Sequence, residues 1–199
     1  MKINFINQGI IKYPIAMLDM EIACAKVIKE LNECVFIVEH NPLYSAGRSF
    51  KKEDFLKDPK FPVYFPKRGG RVTVHSPGQL VVYPVINLRK RNIDISSYIK
   101  ILENWMINAL KELGINPERS DSNVGVWLNG EKIGFIGISV ERGIASHGFC
   151  VNISNDLSMF DAIVPCGING VKITSLEKML DRKFDISSIT NVFIKTAPF

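Results

Sequence analysis

Cys166 is the residue of this chain best suited to covalent chemistry. It lies between Pro165 and Gly167, outside any periodic apolar segment, whereas Cys24 and Cys34 fall inside such segments. A loop cysteine can present its sulfur to a substrate, and the thiolate is the reactive form. Because a free thiol has a pKa near 8.5, only about 3% is thiolate at pH 7, and a neighbouring cation would increase this fraction. The pattern alone leaves a purely structural role open.

Lys132 is a candidate for that cation, at the start of a predicted strand. Alternation along the strand predicts that Lys132, Gly134 and Ile136 share one face. Glycine inside a strand often marks the close approach of a ligand, so Gly134 and Gly137 together indicate a groove. An ammonium about 4 Å from a thiolate, at an effective dielectric of about 20, contributes up to about 4 kcal/mol before desolvation is subtracted. An exposed lysine beside a turn is the alternative interpretation.

The stretch from Arg68 to Pro84 combines glycines, two strands and a histidine. Gly69 and Gly70 allow the backbone to approach a ligand closely. Three β-branched or apolar residues follow as a strand, and Pro77-Gly78 fits the centre of a type II turn. His75 is therefore expected at a strand end, on a glycine-bordered surface that suits a binding wall.

The three histidines, His40, His75 and His147, do not form a metal-binding pattern. They are widely spaced in the chain, and no acidic partner lies at ligand spacing. We therefore expect no metal site.

The composition is typical of a globular chain without a membrane span. Of 199 residues, 46% are hydrophobic, yet no apolar run approaches the roughly 20 residues that cross a bilayer. The N-terminal residues lack the apolar stretch and cleavage site of a signal peptide. The four cysteines include no Cys-x-x-Cys pair and are sparse for a disulfide scaffold. We expect a cytoplasmic protein with free thiols.

The charge favours protein partners over nucleic acid. The net charge is +5, and the lysines and arginines are dispersed rather than clustered in a tail. No nucleic-acid-binding module is recognisable. A mildly basic surface attracts acidic proteins.

Hydrophobic periodicity predicts one α+β domain over residues 1–199, with mixed, mostly antiparallel sheets flanked by helices. Helices are expected over residues 15–31, 96–113, 175–180 and 187–195. The first is amphipathic, and its apolar stripe consists of Ile15, Leu18, Ile22, Ala25, Ile28 and Leu31. Ser96 or Ser97 is expected to cap the second helix, and Gly114 to end it.

Strands are expected where β-branched and aromatic residues cluster. They cover residues 35–38, 63–65, 72–74, 80–88, 124–128, 131–140 and 144–153. The run over 80–88 is apolar almost throughout, which predicts a strand buried on both faces. Asn129-Gly130 is the strongest short-range hairpin signal. Residues 41–50 are expected to form a loop.

Several separated motifs occur in one order over residues 39–177. They are EHNPLYSAG from Glu39, RGGRVTVHSPGQ from Arg68, Lys132-Ile133, SHGF from Ser146, Asn152, and PCGI from Pro165. In this order and spacing they resemble the octanoyltransferases of lipoate biosynthesis. Several motifs in register are far more specific than any one alone.

The resemblance implies the fold of biotin and lipoate protein ligases. It also implies transfer of an octanoyl or lipoyl group from acyl carrier protein to a lysine of a lipoyl domain. Such domains belong to 2-oxoacid dehydrogenase subunits and the glycine-cleavage H protein. No cofactor is implied, and neither nucleic acid nor a membrane is expected as a partner. No ATP is needed, because the thioester is already activated.

The same resemblance assigns residues. The nucleophilic cysteine falls on Cys166, and the lysine that promotes its thiolate falls on Lys132. The implied substrate-binding residues are Arg68, Gly69, Gly70, Arg71, Val72, Thr73, Val74, His75, Phe135, Ile136, Gly137, Gly148, Phe149 and Cys150.

Two other functions stay open. An ATP-dependent lipoate or biotin protein ligase of the same fold would need an adenylate site, with phosphate contacts from the RGGRVTVH loop. Against it, no P-loop occurs, and a ligase does not need Cys166. A non-catalytic module that docks acyl carrier or lipoyl domains would leave both Lys132 and Cys166 dispensable.

Overall fold

The computed structural model describes residues 3–29 and 32–199, which form strands, α-helices and short 3₁₀ helices. The strands are β1 Asn4–Ile11, β2 Cys34–His40, β3 Leu43–Ala46, β4 Val63–Tyr64, β5 Val72–His75, β6 Gln79–Asn87, β7 Val126–Leu128, β8 Glu131–Glu141 and β9 Ile144–Asn152. The α-helices are α1 Tyr13–Ile28, α2 Ile95–Glu112, α3 Leu176–Leu180 and α4 Ile186–Lys195. Short 3₁₀ helices cover Lys52–Asp54, Ser158–Ala162 and Pro165–Gly167.

Two sheets organise these elements. The larger has the order β1-β2-β6-β9-β8-β7, and the smaller has the order β4-β3-β5. Only β1 with β2 and β3 with β4 pair in parallel among the described strands; the other pairs are antiparallel. The predicted α+β class with mixed, mostly antiparallel sheets is confirmed.

Helix α2 packs on one face of the large sheet and has a different cap from the predicted one. Asp94 precedes the helix, and its carboxylate accepts the backbone N–H of Ser97. Neither Ser96 nor Ser97 is the cap, because Asp94 already accepts a backbone N–H of the first turn that has no partner within the helix. The indole N–H of Trp105 donates to the carbonyl of Phe193 at 2.8 Å, which ties α2 to α4.

Helix α1 covers the opposite face of the large sheet and turns the predicted apolar stripe outward. The residues that it buries are Tyr13, Ala16, Met20, Ala23 and Val27. Ile15, Leu18, Ile22 and Ile28 are instead 45–56% exposed, and Leu31 lies outside the described residues. The helix is apolar on two sides, so the spacing of apolar residues does not show which side is buried. The side with Ala16 and Ala23 faces the sheet, because small side chains allow the helix to approach it closely.

Two strands depart from the sequence expectation. β1 was not predicted, because Gly9 at φ 59° interrupts its alternation with an irregularity in register. β3 lies where a loop was expected and is fully buried. Its Ser45 is a polar residue in a buried strand, and the hydroxyl of this serine accepts a hydrogen bond from the buried guanidinium of Arg68.

Two other predictions are confirmed. β6 is buried along eight of its nine residues, as expected for a central strand covered on both faces. Asn129 and Gly130 both adopt positive φ, 51° and 76°, in the turn between β7 and β8. None of the described helices combines the length and apolar character needed to cross a membrane.

A β-bulge in β8 changes which side chains share a face. Val126 pairs with Gly134 while Trp127 pairs with Lys132, so Ile133 is the extra residue. The bulge turns Lys132 to the side of Phe135, and the prediction that Lys132 shares a face with Ile136 is wrong. Gly134 accommodates α2, because a Cβ there would lie 2.8 Å from the sulfur of Met106.

Candidate active site

Cys166 occupies the tight 3₁₀ turn over Pro165–Gly167. Its φ of 55° is in the left-handed region, where a residue with a side chain carries roughly 1–3 kcal/mol of strain. The N–H groups of Gly167 and Ile168 donate to the carbonyls of Val164 and Pro165, both at 3.0 Å. Gly167 is therefore not free to bind a substrate oxygen. Cys166 is half-buried, and its thiol is the reactive group of the turn.

Arg71 braces this turn from the side. It forms an ion pair with the fully buried Asp54, with 3.0 Å between Arg71 Nε and Asp54 Oδ2. The Asp54 carbonyl accepts the N–H of Val164 at 2.7 Å. The Arg71 side chain lies directly against Gly167, where any Cβ would collide with it. These contacts hold the Cys166 turn at a defined position.

Lys132 reaches Cys166 from β8, 34 residues earlier in the chain. Its Nζ lies 3.8 Å from Cys166 Sγ and donates to the Val124 carbonyl at 2.9 Å. The lysine is only 1% exposed. Gly125 lies under its side chain, since a Cβ there would be 2.8 Å from Lys132 Cε. The structure thus brings together the two predicted catalytic residues.

A small cavity lies on the inner side of Cys166. Most of the predicted binding residues line it: Arg68, Gly70, Arg71, Val72, Thr73, His75, Phe135, Ile136, Gly137, Gly148, Phe149 and Cys150, together with Cys166. Its volume is about 40 Å³. A cavity of roughly 150 Å³ holds one benzene, so an eight-carbon chain requires these walls to move apart.

Two predicted binding residues do not line this cavity. Val74 is fully buried in the apolar cluster that also contains Tyr44 and Ile163. The N–H of Gly69 donates to the Ile138 carbonyl at 2.8 Å, which fixes the loop to β8. Both residues support the wall rather than form it.

The cavity wall also contains residues that the sequence analysis did not assign to it. They are Tyr13, Val81, Tyr83 and His147. His147 belongs to the SHGF motif and could have been found there. Tyr13 precedes the first predicted helix, and no signal in the sequence connects it to the site.

Arg68 is a buried cation with neutral partners. Its guanidinium donates to Ser45 Oγ at 3.0 Å and to the carbonyls of Ser45, Gly69 and Arg71. It forms no ion pair with a carboxylate of residues 3–29 or 32–199. Burial lowers the pKa of Arg68.

The three histidines converge at the end of the cavity away from Cys166. The His40 and His75 rings are 5.6 Å apart, and the His147 ring is 6.0 Å from that of Tyr83. Burial lowers the pKa of His40 to about 4 and, with Arg68 nearby, that of His147 to about 3. Burial also lowers the pKa of His75 well below its ordinary value. The histidines are therefore neutral near pH 7.

Cys150 is a second thiol in the cavity wall. Burial, together with Cys166, raises its pKa to about 12. A thiol with so high a pKa is a poor nucleophile at pH 7, because almost none of it is thiolate.

An open trough lies on the outer side of the Cys166 turn. Its volume is about 720 Å³, and its walls include Val164, Pro165 and Ile168 from the turn, with Glu131 and Asp161 beside them. The Cys166 turn therefore separates a small, mostly apolar cavity from a surface that a protein partner can reach.

Comparison with known proteins identifies the family. Residues 13–197 match the lipoyl protein ligase A/B catalytic domain family. An octanoyltransferase of Sphingopyxis alaskensis is 39% identical over 199 residues, covering 97% of this chain and 91% of that protein. The chain belongs to the octanoyltransferase family. An octanoyltransferase of Rhodospirillum rubrum is 43% identical over 172 residues, covering 83% of this chain and 80% of the relative.

Solved structures with the same fold include ligases. A bipartite lipoate protein ligase of Thermoplasma acidophilum, described with its E2 lipoyl domain, has a TM-score of 0.74 at 14% identity, covering 98% of this chain and 82% of that one. A biotin protein ligase of Aquifex aeolicus in complex with biotin and ATP has a TM-score of 0.58 at 13% identity, covering 98% and 68%. The implied ligase-like fold is confirmed, and membership of the octanoyltransferase family makes the chain an acyltransferase.

Proposed function

We propose that this octanoyltransferase works by two successive acyl exchanges on Cys166. The donor is octanoyl-acyl carrier protein, and the acceptor is a lysine of the lipoyl domains of 2-oxoacid dehydrogenases or of the glycine-cleavage H protein. The reaction takes place in the cytoplasm and needs no ATP, because the thioester already carries the activated acyl group. The observation that carries this proposal is the 3.8 Å contact between Lys132 Nζ and Cys166 Sγ at the boundary between the small cavity and the open trough.

In the first half-reaction the Cys166 thiolate attacks the carbonyl carbon of the octanoyl thioester. A carbon–sulfur bond forms to Cys166, and the bond to the carrier's pantetheine sulfur breaks. Lys132, as the ammonium, gives its proton to the departing sulfur and becomes a neutral amine. The products are the octanoyl-enzyme and the free carrier thiol.

In the second half-reaction the free amine of the acceptor lysine attacks the Cys166 thioester. The new amide bond forms while the carbon–sulfur bond breaks, and the sulfur leaves as the thiolate. The neutral amine of Lys132 takes the proton that the acceptor nitrogen loses. Lys132 and Cys166 thereby return to their starting charges.

The acyl chain is assigned to the cavity on the inner side of Cys166. Burying six methylenes at about 0.8 kcal/mol each contributes about 5 kcal/mol, which is enough to select chain length by depth. Thr73 Oγ1 lies in this wall, is buried, and has no hydrogen-bond partner among the described residues. This hydroxyl is our candidate donor to the substrate carbonyl oxygen.

Intact mass spectrometry tests the proposal. The wild-type chain is incubated with octanoyl-acyl carrier protein without ATP, and the expected product carries one octanoyl group. Cys166→Ala should carry none, whereas Cys150→Ala should be acylated like the wild type. Absence of the wild-type adduct, or its persistence in Cys166→Ala, contradicts the proposal. A requirement for ATP in amide formation on a lipoyl domain would favour a ligase.

A further inference from the structure

The Lys132 ammonium lies between two aromatic rings. Nζ is 4.7 Å from the centre of the Trp127 ring and 5.3 Å from the centre of the Phe135 ring. Both distances are within the roughly 6 Å over which a cation is attracted to an aromatic face, and tryptophan is the strongest such partner. Trp127 itself is only 8% exposed, so water screens this attraction weakly.

The rings matter because Lys132 has no carboxylate partner. The ion pairs formed by residues 3–29 and 32–199 do not include it. Burying an ammonium without an anion costs free energy, because the ion loses its hydration. One carbonyl, that of Val124, and the two ring faces are the groups that compensate the charge before a thiolate forms.

We propose that Trp127 is a positioning residue, whose ring face holds Lys132 as an ammonium against Cys166 and so promotes the thiolate. The inference rests on the proposed pairing of Lys132 with the Cys166 thiolate. Trp127 does not line the acyl cavity, whereas Phe135 does. Its effect is therefore on the charge at Cys166 and not on the fit of the acyl chain.

The geometry of β7 and β8 explains why Trp127 occupies this place. Trp127 pairs with Lys132 across the two strands, on the side to which the Ile133 bulge turns the lysine. The backbone N–H and carbonyl of Trp127 each pair with Glu118 at 2.9 Å, which fixes the strand from its outer edge. The bulge and the Glu118 bridge together bring the indole face to the ammonium.

The test is the pH midpoint at which iodoacetamide alkylates Cys166, read at this site by peptide mass spectrometry. The groups that face Cys166 are Lys132 from β8, Cys150 from β9, and Arg68 and Arg71 from the segment before β5. These stay unchanged in Trp127→Leu. We expect its midpoint to rise by about 0.4–1.5 pH units, a roughly two- to thirtyfold slower alkylation at pH 7.

Trp127→Phe keeps a ring face, so its midpoint should rise less than that of Trp127→Leu. Lys132→Met removes the ammonium and should give the largest rise. In acyl transfer, kcat should fall in Trp127→Leu while KM for the octanoyl donor stays within about twofold of wild type. A residue that only packs would lower the melting temperature without moving the midpoint. An unchanged midpoint in folded Trp127→Leu would overturn the inference.

Fluorinated tryptophans decide the question without changing the shape of the side chain. Each added fluorine weakens the ring face toward a cation, so the midpoint should rise stepwise with fluorine number. Trp127→Phe is the matched control, because only Trp105 is then labelled. Its alkylation midpoint should not change with the number of fluorines. A wild-type midpoint that does not change with the number of fluorines contradicts the inference. Alkylation needs no acyl donor, so this result is separate from the octanoyl-adduct test of the proposed function.

Discussion

Lys132 and Cys166 lie at one end of the cavity, and the cluster of His40, His75 and His147 lies at the other. Lys132 and the three histidines are almost completely buried, whereas Cys166 is half-buried. Lys132 is surrounded by a carbonyl and two ring faces, which attract a cation. His40 is bound by the Ile11 carbonyl and the Tyr83 hydroxyl, which satisfy a neutral imidazole. Burial therefore favours the neutral form of the histidines, whereas the groups around Lys132 attract a positive charge.

The largest expected effect is at the reactive end. Lys132→Met should lower kcat/KM for octanoyl transfer by up to about a thousandfold, because an ammonium at this distance contributes up to about 4 kcal/mol to the thiolate. His147→Asn is the matched change at the other end, since asparagine tolerates the positive φ of 56° found there. Steady-state kinetics should show less than about a tenfold loss in His147→Asn. Equal losses would show that the two ends do not differ in function.

A second change displaces Lys132 without removing it. Gly125→Ala places a Cβ 2.5 Å from the Gly134 carbonyl oxygen and 2.8 Å from Lys132 Cε, at a φ of 131° that favours glycine. We expect a loss of about 1–3 kcal/mol in the free energy of unfolding and slower alkylation of Cys166. Gly130→Ala, where a Cβ would meet open space, is the control for positive φ without collision. Similar alkylation rates in both variants would argue against a positioned lysine.

The histidine end is tested by the pH dependence of stability. The pKa values of His40 and His147 are about 4 and about 3 in the folded chain, below the value of about 6.5 for an unfolded chain. The unfolded state therefore binds more protons below pH 6.5, and stability falls as the pH is lowered toward 4. Each buried histidine contributes a slope of about 1.4 kcal/mol per pH unit in that window.

Urea unfolding between pH 7 and 4.5 measures this slope. Replacing one histidine, as in His40→Gln, should reduce the slope by about 1.4 kcal/mol per pH unit. A slope that is the same in His40→Gln and wild type would mean that His40 is not kept neutral by the fold.

The smallest effect is expected between the two ends, at Cys150. Cys150→Leu fills part of the cavity, so the preference for octanoyl over hexanoyl donors should fall by about fourfold to tenfold, at about 0.8 kcal/mol per methylene. Cys150→Ala should leave the preference near that of wild type. Competition between the two donors, read by mass spectrometry, measures the ratio. An unchanged preference in Cys150→Leu would remove Cys150 from the acyl wall.

Residue type and motif order were enough to predict a candidate site. Cys166, Lys132 and most of the RGGRVTVH loop were predicted from the sequence, and the structure brings them together. Strand alternation failed at β8, because the bulge at Ile133 is set by pairing with β7 and leaves no local signal. Tyr13 was missed for a similar reason, since its place in the cavity wall depends on how α1 packs.

The sequence by itself determined the family, the class of fold and the candidate nucleophile, because these depend on residue types held at fixed separations along the chain. The tertiary structure decided which face of α1 is buried, which side of β8 presents Lys132, and which partners surround its ammonium. These properties are decided only when strands and helices distant in sequence meet, since a side chain's charge and reactivity respond to the atoms that packing places around it.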